Sequence, residues 1–97
     1  MLILICYDVS IIHKNGVKRL RRVAKICQDY GQRVQNSVFE CKVTPAEYVE
    51  LKHLLLDEID LNQDSLRFYK LGSNWQKNLE ILGKSESYDP EKDSFIF

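Results

Sequence analysis

The chain has 97 residues with 14 basic and 14 acidic side chains, so its formal net charge is zero and it lacks the overall basic excess of many nucleic-acid-binding proteins. This length suits one domain around one hydrophobic core and excludes two. The three cysteines are widely spaced, which predicts a cytoplasmic chain without disulfides. The apolar N-terminal run ends at Asp8 and no basic segment precedes it, so neither a signal peptide nor a membrane segment is predicted.

The first predicted element is a strand over Leu2–Asp8, with the sequence LILICYD. Six apolar or aromatic residues followed by one acid are typical of a central strand covered on both faces. The strand therefore delivers the Asp8 carboxylate to its polar end. That carboxylate can bind a divalent cation, or it can cap the following loop through an Asx-turn, and the residues alone favour neither alternative.

A helix is predicted over Gly16–Tyr30, because apolar side chains recur there at helical spacing. Asn15 is expected to cap its start and Gly31 to close its end. Seven cations and one acid lie between residues 14 and 33, so the helix is predicted to form a basic ridge over the sheet. Such a ridge suits a phosphate backbone, although charged helix faces are more often only solvated. The predicted backbone contacts are Lys14, Lys18, Arg19, Arg22 and Arg33.

Residues 33–43 are rich in β-forming side chains, and a break near Asn36 and Ser37 is expected to divide them into two short strands. A second helix is predicted from Thr44, with Pro45 in its first turn and Glu47 completing a capping box. It ends in residues 57–64, which carry four acids and no cation, so a negative surface is expected apart from the basic one. Residues 65–71 are then predicted to be a strand that stops at Gly72.

The resulting βαββαβ order predicts an α+β, ferredoxin-like fold, with an antiparallel sheet, both helices on one face and the first strand inside. Residues 1–83 are assigned to this domain, including a weak extra strand over residues 77–82. Residues 84–97 are predicted to be a linker and a terminal strand. Because an apolar terminal strand needs a partner, we expect it to pair with a second protomer in a homodimer.

Several motifs occur in order along nearly the whole chain: Tyr7-Asp8 at the end of the apolar strand, RLRRVAK at residues 19–25, RVQNSVFE at 33–40, DSLRFYKL at 64–71 and LEILGK at 79–84. With this set the chain resembles the small CRISPR-associated adaptation endonucleases of the "Cas two" family, also named CRISPR-associated endoribonucleases. One departure is the turn at residues 72–75, where many relatives carry a cysteine and this chain carries none.

The resemblance implies a ferredoxin-like homodimer with exchanged C-terminal strands, in which Asp8 meets its mate across the two-fold axis. It also implies a metal-dependent endonuclease that uses Mg²⁺ or another divalent cation on RNA or double-stranded DNA. Its partner in CRISPR spacer acquisition would be the integrase subunit. Two alternatives stay open: a non-catalytic scaffold that bridges integrase dimers on DNA, and a ribonuclease toxin of similar fold.

The remaining candidates have both a functional and a structural interpretation. Tyr7 and Phe39 can stack on bases or fill the core, and Ser37 can bind a phosphate or mark the strand break. His13 is the nearest candidate for proton transfer beside Asp8, but it more often would be a solvated loop residue. His53 is expected at the surface, and no zinc-type spacing occurs in the sequence.

Overall fold

The structure is a computed structural model, and it describes residues 1–10, 15–72 and 74–83. The predictions for His13, Lys14 and the terminal segment 84–97 lie outside the described residues. The described elements, in chain order, are β1 (Leu2–Asp8), α1 (Gly16–Tyr30), β2 (Gly31–Gln35), β3 (Val38–Lys42), α2 (Pro45–Glu58), β4 (Ser65–Gly72) and the short helix α3 (Trp75–Asn78).

The four strands form one sheet in the order β2-β3-β1-β4, and every neighbouring pair is antiparallel. β1 is therefore interior, as its apolar sequence predicts. Together with the βαββαβ order of the first six elements, this strand order confirms the predicted α+β, ferredoxin-like arrangement.

The core lies between one face of the sheet and the two long helices. Side chains of a strand alternate between its faces, so Ile3, Ile5 and Tyr7 of β1 point toward the helices, whereas Asp8 lies on the other face. The core side chains that complete this layer come from β3, α1 and α2: Phe39, Cys41, Val23, Ala24, Cys27, Tyr48, Leu51 and Leu55. The sheet thus separates a buried helical side from a second face on which Asp8 stands.

The local signals of the central segment are confirmed. The predicted break lies at Asn36 and Ser37, which form the turn between β2 and β3. At the start of α2, the Glu47 backbone N–H donates to Thr44 Oγ1 at 3.2 Å, and the Thr44 N–H donates to Glu47 Oε1 at 2.9 Å. This reciprocal capping box satisfies two backbone donors that the helix itself leaves unpaired.

Helix α1 lies between Asn15 and Gly31 as predicted, but its caps differ in detail. Asn15 stands at the N-cap with a φ of 84° and its side chain makes no capping hydrogen bond, and Gly31, at the C-cap, is extended and opens β2. The weak strand predicted over residues 77–82 is not observed: residues 77 and 78 belong to the short helix α3, which begins at Trp75, and residues 79–82 form no strand in the described part of the chain. The Trp75 side chain is buried, so a helical turn that packs this indole is favoured over a strand without a neighbour to pair with.

Gly31 is required for the close approach of β2 to β3. A Cβ at this position would lie 2.0 Å from the Glu40 carbonyl oxygen and 2.6 Å from the Cys41 Cα. Its φ of −177° is open to any residue, so the requirement comes from space and not from backbone conformation. A larger residue must push β2 off its neighbour.

We predict that Gly31→Ala lowers the free energy of unfolding by roughly 1–3 kcal/mol, because the added methyl group overpacks the contact between the two strands. Urea denaturation followed by circular dichroism measures this change. Gln35→Ala, at an exposed position of the same strand, is the control and should change the free energy by no more than about 0.5 kcal/mol. Equal stability of Gly31→Ala and wild type would contradict the proposed steric requirement.

Candidate active site

A buried carboxylate, Asp64, joins four segments of the chain beside the end of β1. Its side chain has no solvent exposure, and it accepts a hydrogen bond from the Tyr7 hydroxyl. Arg19 donates from Nε to Oδ2 at 2.8 Å and from Nη2 to Oδ1 at 3.2 Å. The backbone N–H groups of Ser10 and Asp60 donate at 3.2 and 3.1 Å. The carboxylate therefore ties β1, the loop after it, α1 and the α2–β4 connection together.

These hydrogen bonds determine the ionisation of the cluster. Burial alone raises the pKa of the Asp64 carboxyl, but the hydrogen bonds from Arg19, Tyr7 and two backbone N–H groups outweigh burial and lower the pKa to about 2. Burial and the hydrogen bond to Asp64 raise the pKa of the Tyr7 hydroxyl well above its ordinary range. At neutral pH the cluster therefore contains a carboxylate, a guanidinium and a neutral phenol.

The acidic segment and the basic helix do not form separate surfaces, which corrects the sequence prediction. Arg19 is paired with Asp64, its side chain is only 11% exposed, and Arg22 Nη1 lies 3.8 Å from Glu58 Oε2. Burying one charge without its partner is costly, so folding brings the opposite charges of the two segments together. Arg19 was predicted to bind phosphate, and its guanidinium here also donates to the Gln63 side chain at 3.2 Å.

Asp8 has the opposite environment. Its side chain is exposed at the end of β1, and no described residue donates a hydrogen bond to it or forms an ion pair with it. An Asx-turn would direct the Ser10 backbone N–H at Asp8, but this N–H donates to Asp64 instead. Of the two alternatives for Asp8, the capping role is therefore absent, and its carboxylate oxygens are available to a ligand.

The Asp8 carboxylate shares a shallow cleft with two hydroxyl groups and one guanidinium, from Ser37, Ser65 and Arg67. Asp8 is paired with Ser65 across the sheet, and Cys6 is paired with Arg67. Because Cys6 and Asp8 lie two residues apart, Ser65 and Arg67 lie on the same face as Asp8. Sequence reasoning did not assign a role to Ser65 or Arg67; the DSLRFYKL motif contains both, but only the strand register shows that they are neighbours of Asp8.

Tyr7 and Phe39 belong to the core in this chain. Tyr7 is 2% exposed and Phe39 is 0% exposed, so neither ring presents a face to an incoming base. Ser37 is half-buried in the β2–β3 turn, and its carbonyl oxygen accepts the Tyr7 N–H at 2.9 Å. Its role at the strand break is confirmed, and phosphate binding stays a prediction for a residue that lines the Asp8 cleft.

Of the other predicted cations, Lys18, Arg22 and Arg33 do not line that cleft, and Lys14 lies outside the described residues. Lys18 and Arg22 line a groove between α1 and the C-terminal end of α2, together with the exposed apolar side chains of Leu56 and Leu61. Arg33 donates from Nε and Nη2 to the Asn36 carbonyl oxygen at 2.8 and 2.6 Å, so it braces the β2–β3 turn. Among the described residues, the predicted cations of the basic ridge thus do not share a cleft with Asp8.

Asp8 fits a hard divalent cation as a single ligand. Among the described residues, no group of three or more His, Cys, Asp or Glu side chains could hold a metal ion. Mg²⁺ does not need such a cage, since it binds one or two carboxylates and fills its other positions with water and phosphate oxygens. The exposed Asp8 carboxylate, which has no partner in the part of the chain that the structure describes, meets this requirement.

The low pKa of Asp64 predicts a fold that is sensitive to acid. Its folded-state pKa of about 2 is below the ordinary value of 3.8, so the ionised carboxylate stabilises the fold above about pH 4. This stabilisation, about 2 kcal/mol, is lost as the pH falls from about 4 to 2. Asp64→Asn should therefore unfold at lower urea concentration at neutral pH and show a weaker pH dependence in that interval.

The exposed acid Asp57 provides the matched control, and Asp57→Asn should keep the wild-type pH dependence. Tyr7→Phe removes one hydrogen-bond donor from Asp64 and replaces Asp64→Asn in this test if Asp64→Asn does not fold. Its loss in the free energy of unfolding should be smaller than that of Asp64→Asn, about 1.5 kcal/mol. If wild type and the Asp64 variant lose stability in parallel between about pH 4 and pH 2, the assigned pKa is wrong.

Comparison with known proteins gives a consistent result. A family model described as CRISPR associated protein Cas2 matches residues 1–79. The CRISPR-associated endoribonuclease Cas2 of Nitratidesulfovibrio vulgaris is 59% identical over 91 residues, which span 94% of this chain and 89% of that relative. The CRISPR-associated endonuclease Cas2 of Halalkalibacterium halodurans is 53% identical over 97 residues, which span 100% of both chains.

A solved structure agrees with these matches. The crystal structure of Streptococcus pyogenes Cas2 at pH 6.5 is similar to this fold with a TM-score of 0.77 and 61% sequence identity, covering 86% of this chain and 100% of that one. Within residues 1–10, 15–72 and 74–83, no helix has the length and apolar character needed to cross a membrane.

Proposed function

The chain belongs to the CRISPR-associated Cas2 family, and on this premise we propose that it is a metal-dependent endonuclease of CRISPR spacer acquisition. The observation that carries the proposal is the Asp8 carboxylate, which is exposed, has no hydrogen-bond or ion-pair partner among the described residues, and shares a cleft with two hydroxyl groups and a guanidinium. Two relatives bear the names endoribonuclease and endonuclease, which supports hydrolysis of internal phosphodiester bonds in a nucleic acid. RNA and double-stranded DNA are the substrates that we propose.

The chemistry follows from what Asp8 and its neighbours can bind. A divalent cation, Mg²⁺ or a similar ion, would supply a polarised water and neutralise phosphate charge when held by Asp8. Ser37 and Ser65, which line the cleft, can donate their hydroxyl protons to the non-bridging phosphate oxygens and orient the phosphodiester. Water adds to phosphorus as the bond to the leaving sugar oxygen breaks; one water proton ends on that oxygen and the other passes to solvent.

A homodimer completes this proposal. Two-fold symmetry would bring a second Asp8 to the same cation, and the two carboxylates would share its charge. We assign residues 1–83 to the ferredoxin-like domain and residues 84–97 to a linker and a strand that pairs with the second protomer. The three cysteines are free thiols, which supports a cytoplasmic location. The partner in spacer acquisition would be the CRISPR integrase subunit.

Binding of the nucleic acid backbone is assigned to the exposed cations of α1. Lys18 and Arg22 line one groove, and the Arg22 side chain is 61% exposed. Lys14, which lies outside the described residues, and Arg33 of β2 are proposed as further backbone contacts, whereas Arg19 acts indirectly because its guanidinium is paired with Asp64. Lysine and arginine side chains displace counterions from phosphates without reading bases, so the expected binding is independent of sequence.

We predict that Asp8→Asn abolishes Mg²⁺-dependent cleavage of RNA and double-stranded DNA, because the amide carries no charge to hold the cation. Cleavage of end-labelled oligonucleotides measures the loss. Nucleic acid affinity measured in EDTA and the melting temperature should both stay at wild-type values, since no described residue forms a hydrogen bond or ion pair with Asp8. Asp57→Asn, at an exposed acid outside the cleft, is the control. Cleavage by Asp8→Asn at the wild-type rate would refute the assignment.

The same variant separates catalysis from a scaffold role. One observation favours the scaffold, because a single protomer offers one carboxylate and no metal cluster among its described residues. If cells that carry Asp8→Asn acquire spacers at the wild-type frequency, cleavage is dispensable and the protein acts by bridging integrase subunits on DNA. Loss of acquisition together with cleavage would assign the nuclease a role in the process.

Arg22→Ala should weaken binding to double-stranded DNA and reduce the slope of log K against log salt concentration by about 0.9 for each lost phosphate contact. Fluorescence anisotropy over a salt series measures both quantities. Arg21→Ala, on the same helix but outside the groove, removes the same charge and should leave the slope nearer to wild type. Identical slopes for wild type and Arg22→Ala would mean that the groove is only solvated.

A further inference from the structure

We propose that Arg67 is a catalytic residue that binds the scissile phosphate beside Asp8. This inference rests on the proposed endonuclease function and adds to it the cation that the Asp8 cleft needs. Arg67 is exposed on β4 and lines the cleft together with Asp8, Ser37 and Ser65.

The strand register places Arg67 within reach of a ligand on Asp8. Cys6 is directly opposite Arg67, and Asp8 is directly opposite Ser65, so Asp8 and Arg67 are diagonal neighbours on one face of the sheet. Diagonal neighbours across antiparallel strands lie about 7–8 Å apart, a distance that a long side chain spans. A phosphate between them can therefore touch a cation held by Asp8 on one side and the guanidinium on the other.

The Arg67 guanidinium is not paired with the Asp8 carboxylate, since the two side chains form no ion pair. The hydrogen bond with Tyr69 is the main reason that the pKa of the Arg67 guanidinium is raised, and the charge of Asp8 adds a smaller effect in the same direction. Arginine has five N–H donors, so one contact with Tyr69 leaves others for phosphate oxygens. Arg67 is thus held on the face of Asp8 with free donors.

The arginines that were predicted from the sequence to bind nucleic acid are not placed to contact a phosphate at Asp8. Arg19 is bound to the buried Asp64 carboxylate, and Arg33 is bound to the Asn36 carbonyl oxygen. Arg22 lies with Lys18 in the groove between the helices, on the other side of the sheet from Asp8. A phosphodiester at Asp8 carries negative charge that grows as water adds to phosphorus, and a guanidinium on the same face is placed to stabilise it.

In the reaction Arg67 keeps its proton throughout. Its N–H groups donate to two non-bridging oxygens of the phosphodiester, and these bonds strengthen as negative charge accumulates on those oxygens. Water supplies the new oxygen on phosphorus, and the sugar oxygen leaves with a proton that derives from that water. The role therefore requires the charge and the planar fork of the guanidinium, which lysine does not reproduce.

The test compares Arg67→Ala and Arg67→Lys with wild type on a single-stranded RNA and a DNA duplex in Mg²⁺. Arg67→Ala should lower kcat by about a hundredfold. Added guanidinium chloride at millimolar concentration should restore part of the activity of Arg67→Ala, but it should not stimulate wild type or Arg67→Lys. Arg21→Ala, an exposed arginine on α1 outside both clefts, controls for loss of charge and should keep the wild-type kcat.

Binding in EDTA provides a readout that does not depend on catalysis. Arg67→Ala should reduce the salt slope for the DNA duplex by about 0.9 per lost phosphate contact. If wild type cleaves neither substrate, the endonuclease proposal fails, while this binding measurement still decides whether Arg67 contacts phosphate. Unchanged binding and kcat in Arg67→Ala would overturn the inference, as would a loss that follows a lowered melting temperature and is not rescued by guanidinium.

Discussion

The convergence of donors on the Asp64 carboxylate is the interaction on which the candidate site depends. Tyr7 and Asp8 are consecutive on β1, and Asp64 directly precedes Ser65, the first residue of β4. The first member of each pair is buried on the helix side, where the Tyr7 hydroxyl binds Asp64. Because consecutive residues of a strand face opposite ways, fixing this buried pair also fixes Asp8 against Ser65 on the other face. Charge-assisted hydrogen bonds in a buried place hold that geometry tightly.

Aspartate has two different roles in this protein: Asp64 holds the fold together, and Asp8 is available to a ligand. The number of hydrogen bonds that each carboxylate accepts distinguishes the two roles. Asp64 receives hydrogen bonds from two side chains and two backbone groups, so it has no capacity left for an external ligand. Asp8 receives none from the described residues. Arginines divide in the same way, since Arg19 is held by the fold and Arg67 retains donors. Chemistry is expected where the fold leaves a charge unsatisfied, not where charges are most numerous.

Much of this fold could be predicted from short-range signals. The apolar run ending at Asp8, the helical spacing over Gly16–Tyr30 and the capping box at Thr44 each depend on residues within a few positions of one another. The Arg19–Asp64 pair could not be predicted, because it joins residues 45 apart and depends on how two segments pack. Strand register cannot be predicted from one sequence either, and it is the pairing of β4 with β1 that places Arg67 beside Asp8.

The sheet also constrains how one nucleic acid can use the whole molecule. Lys18 and Arg22 line a groove on the helix side, whereas Asp8 and Arg67 line a cleft on the other face. A backbone that touches both must pass around the end of β1, near the residues that Asp64 fixes. Contacts of the backbone with Lys18 and Arg22 can therefore help to position a phosphate at Asp8 only if the end of β1 is rigid. In the proposed function, Lys18 and Arg22 therefore bind the backbone from one face, Asp8 and Arg67 act from the other, and the buried Asp64 carboxylate joins α1 to the loop after β1 between them.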